Sequence, residues 1–207
     1  MPAKTINVES AAEAYLTVLQ DRGVDYLLGN AGTDFPSIIE GLAKSLTGEG
    51  AAPTPMTIPH ENLGVAMAHG YYVATGRMCA VMVHVNVGTA NAICGIMNAA
   101  RENVPILFSS GRTPLTEEGF DGSRSLYIHW GQEMFDQGGM IREAVKWDFE
   151  LRHPEQVEDV AIRALDIAST PPAGPVYLSL PRELLAARVA PDRPDRARSR
   201  GTGGTGL

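Results

Sequence analysis

The stretch Ile58-Pro59-His60-Glu61-Asn62-Leu63-Gly64 decides how the rest of the chain is arranged. An apolar run ends there in a proline and a histidine, and a carboxylate follows at once, ahead of a small-residue pattern typical of a packed helix. We therefore expect Glu61 at the carboxyl end of a strand and in the first turn of a helix. Open α/β sheets place ligand-contacting groups at that edge, and the positive end of a helix dipole favours an acid there. Most first-turn acids only complement the dipole, so position alone makes Glu61 a candidate and no more.

The composition favours one large folded unit and excludes two classes of partner. A chain of 207 residues is long enough to bury a core, and we expect one domain over residues 1–187. Residues 188–207 are rich in arginine, proline and glycine, have little to bury, and are expected to form a disordered tail. A net charge of −7 gives no indication of nucleic acid or an anionic membrane surface as a partner.

The cysteines and the short apolar runs predict a cytoplasmic protein. Cys79 and Cys94 lie in apolar segments without metal-ligand spacing, so we expect buried free thiols in a reducing compartment and no metal site. The first residues have no secretory pattern, and no apolar run reaches the length of a membrane span.

Apolar strands and amphipathic helices alternate along the chain. Ser10 with Glu13 is a capping-box pattern that begins the first helix, and helices are also predicted at 36–46, 61–76, 89–102 and 154–169. Between them lie short apolar strands, of which residues 78–85 are the most apolar and are expected at the centre of the sheet. The alternation predicts a three-layer α/β fold, with a largely parallel sheet of five to six strands and helices on both faces.

Three segments follow strand ends and are expected to meet at one edge of the sheet: residues 29–32, 59–61 and 84–91. Each also has a simpler interpretation. The first is a tight turn without a dinucleotide-binding glycine pattern, and His84 can be satisfied by backbone groups. His60 can support the fold, Asn86 can take a turn conformation, and Asn91 can be an ordinary helix residue. No nucleophile elbow, Walker A motif or zinc-protease motif is present.

The segment from residue 59 to residue 77, PHENLGVAMAHGYYVATGR, resembles the N-terminal pyrimidine-binding domain of thiamine-diphosphate enzymes of the acetolactate synthase type. That group includes benzoylformate decarboxylase, oxalyl-CoA decarboxylase and glyoxylate carboligase, and its pattern is H-E, then small residues, then G-Y-A-x-A-T-G. Further segments match the group in order and spacing: 29–32, 98–100, 104–107, 132–133, 146–147 and 174–181. The resemblance extends over roughly residues 6–185.

The resemblance implies a role for each of a set of residues. Glu61 would be the catalytic residue, bonding the N1′ atom of the aminopyrimidine and so promoting loss of the proton from the thiazolium C2. The residues implied to bind the cofactor are Glu61, Asn30, Ala31, Gly32, Asn86, Val87, Gly88 and Asn91. Those implied to lie near a 2-keto acid substrate are His60, His84 and Gln132.

Two loops depart from the group's pattern. Its S-G-P-G loop is replaced by Val85-Asn86-Val87-Gly88, preceded by His84, and the proline of its G-x-P-G loop is Ala31. Both loops approach the substrate in the group, so the departures leave the substrate class open without touching the role of Glu61.

The resemblance also implies that the chain holds half of an active site. In the group, a separate C-terminal domain with a G-D-G motif binds the diphosphate and Mg²⁺, and no G-D-G occurs here. The expected function is therefore the N-terminal part of a 2-keto acid decarboxylase or carboligase, a homodimer or homotetramer, with the presence of FAD left open. The alternatives are a separate pyrimidine-domain subunit of a two-chain decarboxylase and a non-catalytic interaction module derived from this domain.

Overall fold

A parallel sheet of six strands forms the centre of the structure, a computed structural model in which residues 8–189 are described. The strands are β1 (Tyr26–Asn30), β2 (Thr54–Thr57), β3 (Ala80–Val83), β4 (Leu107–Arg112), β5 (Asp148–Glu150) and β6 (Val176–Pro181). Their order is β2-β1-β3-β4-β6-β5, and every neighbouring pair is parallel. Strand β3 is wholly buried between β1 and β4, which confirms its predicted central position.

Helices cover both faces of the sheet, so the predicted three-layer α/β architecture is confirmed. Within residues 8–189 the α-helices are α1 (Ala11–Asp21), α2 (Pro36–Leu46), α3 (Glu61–Thr75), α4 (Val85–Arg101), α5 (Ile128–Gly131), α6 (Val157–Ser169) and α7 (Arg182–Ala186). Short 3₁₀ turns lie at Gly138–Met140, Arg142–Ala144 and Pro154–Gln156. None of the helices in this described part combines the length and the apolar character needed to cross a membrane.

Two apolar clusters sit on opposite faces of the sheet because side chains alternate along a strand. In β3, Ala80 and Met82 join the cluster that contains α1 and α6, whereas Val81 and Val83 join the cluster that contains α3 and α4. Each face of the sheet is thus buried beneath a different helix pair.

Local sequence signals set several boundaries correctly. The Ser10 side chain accepts a hydrogen bond from the Glu13 backbone N–H at 3.3 Å, as the capping-box pattern predicts. Helix α2 has the predicted bounds. Gly76 ends α3 in the left-handed conformation, with φ of 72°, where a residue without a Cβ is favoured.

Two short elements and the burial of one cysteine differ from the prediction. Strand β5 and helix α7 were not predicted. Elements of three and five residues are too short to show a hydrophobic periodicity, and they depend on contacts distant in sequence. Cys79 is buried, but Cys94 is exposed on α4, so its predicted burial was wrong.

The domain was expected to end at residue 187, and the structure places the next two residues in the fold as well. Arg188 forms a bridge with Ser10, and the side chain of Val189 is buried in the core. Residues 190–207, the rest of the predicted tail, lie outside the described residues.

Candidate functional site

The carboxylate of Glu61 lies at the carboxyl-terminal edge of the sheet, held between two amides. One of its oxygens accepts a hydrogen bond from Asn30 Nδ2 at 3.1 Å, and the other accepts one from Asn91 Nδ2, also at 3.1 Å. The residue is 6% exposed. Both carboxylate oxygens are therefore oriented, and the group is largely shielded from bulk water.

Three elements bring these groups together from distant parts of the sequence. Asn30 is the last residue of β1, Glu61 is the first residue of α3, and Asn91 lies in the second turn of α4. Asn30 is in register with Val83, the last residue of β3, so the ends of β1 and β3 are adjacent. The expectation that the three strand-end segments share one edge of the sheet agrees with this arrangement.

The segment after β3 is helical from Val85, which corrects the turn predicted ahead of a helix starting at residue 89. Helix α4 begins at Val85, four residues before the predicted start, so Asn86, Val87, Gly88 and Asn91 are helix residues. The buried Asp34 carboxylate accepts the Val85 backbone N–H at 3.1 Å and so supplies a helix-start partner that local sequence does not reveal.

Val85 has a positive φ of 34°, which is rare for a β-branched residue. Such backbone costs about 1–3 kcal/mol and persists where surrounding structure determines it. Here the hydrogen bond from Val85 N–H to Asp34 and the complete burial of the side chain hold it. The strain lies at the same sheet edge as Glu61.

Gly88 packs closely against Glu61 and Val83. A Cβ at Gly88 would lie 3.3 Å from Glu61 Oε1 and 2.9 Å from the Val83 side chain. A larger residue would crowd the carboxylate from the α4 side. The absence of a side chain here therefore lets α4 lie close to Glu61 without crowding the carboxylate.

His84 and Gln132, both predicted near the substrate, are in direct contact. Gln132 Nε2 lies 2.9 Å from His84 Nε2, and His84 Nδ1 lies 2.5 Å from Asp34 Oδ1. The ring also packs on Gly32, where a Cβ would come within 2.2 Å of His84 Nδ1. These contacts show that His84 is satisfied by side chains, and the simpler interpretation of a histidine satisfied by backbone groups was wrong.

The remaining predicted residues are placed differently. His60 is exposed and caps α3, accepting the Asn62 backbone N–H on Nδ1 at 3.2 Å. Ala31 and Val87 are exposed, and Asn86 carries a buried Oδ1 atom without a partner in the described structure. Whether any of these residues contacts a cofactor or substrate stays a prediction.

Asp34 is the main residue of this edge that the sequence analysis did not find. The order Thr33-Asp34-Phe35-Pro36 ahead of a helix favours a capping role, yet the cap position is Phe35 and has no side-chain hydrogen bond. Asp34 instead bonds across to residues fifty positions later in the chain. No local signal indicates that pairing.

Charged side chains anchor the segment that carries Gln132. Arg112, at the end of β4, donates to Glu133 at 2.7 Å and to Glu150 at 2.6 Å, and Arg124 also pairs with Glu133. Burial raises the pKa of Glu133, but the two arginines together lower it by more, so the net shift is downward. These ion pairs hold Glu133, the neighbour of Gln132 in the sequence, in place.

His129 is a buried support for the same segment. Its Nδ1 accepts the backbone N–H of Ser125 at 3.1 Å, and Arg182 Nη1 lies 3.3 Å from its Nε2. Burial first, and then the nearby Arg182 and Arg124, lower the pKa of His129. Folding therefore favours the neutral form of this imidazole.

We expect the lowered pKa of His129 to make folding stability depend on pH below about 6.5. Below that pH the unfolded chain binds a proton at His129 that the folded chain resists, so the free energy of unfolding falls as the pH falls. The measurement is the urea midpoint between pH 7.5 and 5.5, with a shallower dependence expected for His129→Gln. His153→Gln, at an exposed position, is the control and should follow the wild type. Equal slopes for His129→Gln and wild type would contradict the assignment.

No group of three or more histidine, cysteine or acidic side chains in the 8–189 region is arranged to hold a metal ion. The chemistry-bearing groups at the sheet edge are thus a carboxylate, an imidazole–carboxylate pair and amides.

Comparison with known proteins gives one family and several related enzymes. Residues 9–140 match the family described as "Thiamine pyrophosphate enzyme, N-terminal TPP binding domain". The chain is 30% identical to the acetolactate synthase large subunit of Haemophilus influenzae over 84% of its own length and 28% of that protein. It is 30% identical to the benzoylformate decarboxylase of Pseudomonas aeruginosa over 59% of its length and 22% of that protein. A probable 2-ketoarginine decarboxylase of the same organism is 28% identical over 92% of the chain and 32% of that protein. The chain thus spans about a third or less of these relatives.

Proposed function

The chain belongs to the family of thiamine pyrophosphate enzymes, as their N-terminal TPP-binding domain, and on this premise we propose that Glu61 activates the pyrimidine end of the cofactor. The observation that carries the proposal is the Glu61 carboxylate held by Asn30 and Asn91 at the carboxyl-terminal edge of the sheet. The proposed reaction class is decarboxylation or carboligation of a 2-keto acid.

The residues at this edge fit the pyrimidine end of thiamine diphosphate. A carboxylate offers about four acceptor positions, and the two amides occupy one on each oxygen of Glu61. Gly88 adds no side chain beside the carboxylate. Glu61 can therefore present an oriented acid, largely screened from water, to the ring nitrogen of a flat heterocycle.

Within this site the chain's own groups would orient the ring and move a proton. When bound, thiamine diphosphate supplies an electron sink for breaking a bond next to a keto group. Glu61 would hold the proton shared with the ring nitrogen, and its low exposure would limit exchange of that proton with bulk water. Asn30 and Asn91 would keep both carboxylate oxygens in place, since orientation decides the efficiency of proton transfer. The positive end of the α3 dipole favours the carboxylate form of Glu61.

We further propose that the diphosphate and Mg²⁺ are held outside this chain, by a second domain of the same polypeptide or by a separate subunit. The support is the share of each relative that the chain spans, 28% in the acetolactate synthase large subunit. His84 and Gln132 would then face the 2-keto acid, and His60, exposed beside Glu61, would lie at the rim. Assembly as a homodimer or homotetramer and binding of FAD would be properties of the complete enzyme.

The proposal is tested by joining the chain to the missing half. The chain is produced with the diphosphate-binding region encoded next to it, in the same reading frame or as a neighbouring gene. CO₂ release from pyruvate, benzoylformate and 2-ketoarginine is then measured with and without thiamine diphosphate and Mg²⁺. We expect release from at least one substrate, dependent on both additions. Activity that needs two separately encoded polypeptides would favour the two-chain alternative. An assembly that binds thiamine diphosphate yet turns over no 2-keto acid would contradict the proposal and favour a non-catalytic module.

A further inference from the structure

Asp34, His84 and Gln132 form a hydrogen-bonded line at the sheet edge. The Asp34 carboxylate is 2% exposed and accepts from His84 Nδ1 at 2.5 Å through Oδ1 and from the Val85 backbone N–H at 3.1 Å through Oδ2. Because an ionised carboxylate only accepts hydrogen bonds, Nδ1 of His84 must carry the hydrogen. The other ring nitrogen, Nε2, then has a free lone pair, which accepts from Gln132 Nε2 at 2.9 Å.

We propose that Asp34 is a positioning residue that holds His84 in the Nδ1–H tautomer, so that Nε2 serves as a proton-accepting atom in the proposed active site. The inference rests on the proposed function for the identity of the site. His84 directly follows Val83, which is in register with Asn30, and Asn30 bonds Glu61. The imidazole therefore belongs to the same sheet edge as the proposed cofactor-activating acid.

Two glycines make room for this pair and for nothing larger. A Cβ at Gly32 would lie 2.2 Å from His84 Nδ1, and a Cβ at Gly111 would lie 1.8 Å from Asp34 Oδ2. Neither glycine has a positive φ, so space and not backbone conformation requires glycine at these positions. The ring and the carboxylate are thus confined to one arrangement, as a positioned proton acceptor requires.

The Gln132 amide can serve both protonation states of His84. In the neutral state its Nε2 donates to the ring, and its buried Oε1 has no partner in the described structure. If Nε2 of His84 gains a proton, rotation of the amide by half a turn presents Oε1 to the new N–H, while Asp34 continues to accept from Nδ1. A histidine that only supports the fold needs hydrogen-bond partners for one protonation state. The spare acceptor of Gln132 is what a proton-exchanging histidine needs.

The test is the tautomer of His84, measured by ¹⁵N–¹H NMR of the imidazole in the full 207-residue chain at neutral pH. We expect Nδ1–H in the wild type. In Asp34→Asn, the single side-chain oxygen stays with the Val85 N–H, so the new NH₂ group faces Nδ1 and forces the Nε2–H tautomer. Asp136→Asn, at an exposed aspartate paired with Arg142, is the matched control and should keep Nδ1–H.

A second variant keeps the test decisive if Asp34→Asn does not fold. Gln132→Ala should retain Nδ1–H, because Asp34 and not Gln132 sets the tautomer. An Nε2–H signal in the wild type, or a change of tautomer in Gln132→Ala, would overturn the inference. So would Nδ1–H in a folded Asp34→Asn variant.

The readout needs neither cofactor nor substrate, so its failure is separate from failure of the proposed function. Glu61→Gln should leave the His84 tautomer unchanged. In the complete enzyme, Asp34→Asn should lower kcat by about 10²-fold with little change in KM. An unchanged kcat despite a reversed tautomer would remove the positioning role and leave the role of Glu61 intact.

Discussion

Glu61→Gln is expected to lower thiamine-diphosphate-dependent turnover by about 10²- to 10⁴-fold in the complete enzyme. Glutamine matches glutamate in size but cannot exchange a proton at neutral pH. Its single carbonyl oxygen also leaves one of the two amides, Asn30 or Asn91, facing an NH₂ group in place of an acceptor. The measurement is kcat with the best 2-keto acid substrate, at saturating thiamine diphosphate and Mg²⁺.

Glu102→Gln is the matched control for that experiment. Glu102 is exposed, follows the last residue of α4, and pairs with His69 far from the carboxyl-terminal sheet edge. Its loss should leave turnover unchanged, since an exposed pair of this kind contributes little. Full activity in Glu61→Gln would remove the central assignment, because that assignment requires a side chain that can exchange a proton with the cofactor.

Gly111→Ala is expected to destabilise the fold by about 3 kcal/mol, which corresponds to a fall in Tm of about 10 °C. Gly111 is buried in β4, and an added Cβ would lie 1.8 Å from Asp34 Oδ2 and 2.4 Å from Asp34 Cβ. The carboxylate cannot move aside without losing its bonds to His84 and Val85. Thermal unfolding of the purified chain, followed by circular dichroism, measures the effect.

Gly70→Ala provides the opposite expectation from the same chemical change. Gly70 lies in the middle of α3, is exposed, and has nothing within 4 Å of an added Cβ. Alanine in place of glycine inside an exposed helix should stabilise by about 0.5–1 kcal/mol. If Gly111→Ala unfolds no earlier than Gly70→Ala, the close packing of Asp34 against β4 is not present in solution.

Local patterns predicted those elements whose physical causes lie close together in the sequence. The capping pair Ser10 and Glu13 begins α1, and Gly76 ends α3. Both effects act within one helical turn, so they can be read from neighbouring residues. The segment 84–91 was misread because the group that starts α4 is Asp34, which lies far away in the chain.

The candidate site divides in the same way. Glu61 was identified from its strand–helix position and from the resemblance carried by the helix behind it. Asn30 and Asn91 were included only as members of two strand-end segments, and the structure gives each a specific hydrogen bond to Glu61. Asp34 was missed, since a single acid before a helix is most often a cap.

The sequence by itself determined the parallel α/β architecture, the edge at which Glu61 lies, and the family to which the domain belongs. These follow from periodicity, from the order of strands and helices, and from short motifs, all of which are local properties. Only the tertiary structure decided that two asparagines orient the Glu61 carboxylate, that Asp34 fixes His84, and that Gly88 and Gly111 leave room for both. Those contacts depend on strand register and on the close packing of segments that are far apart in the chain, where a small shift breaks a contact.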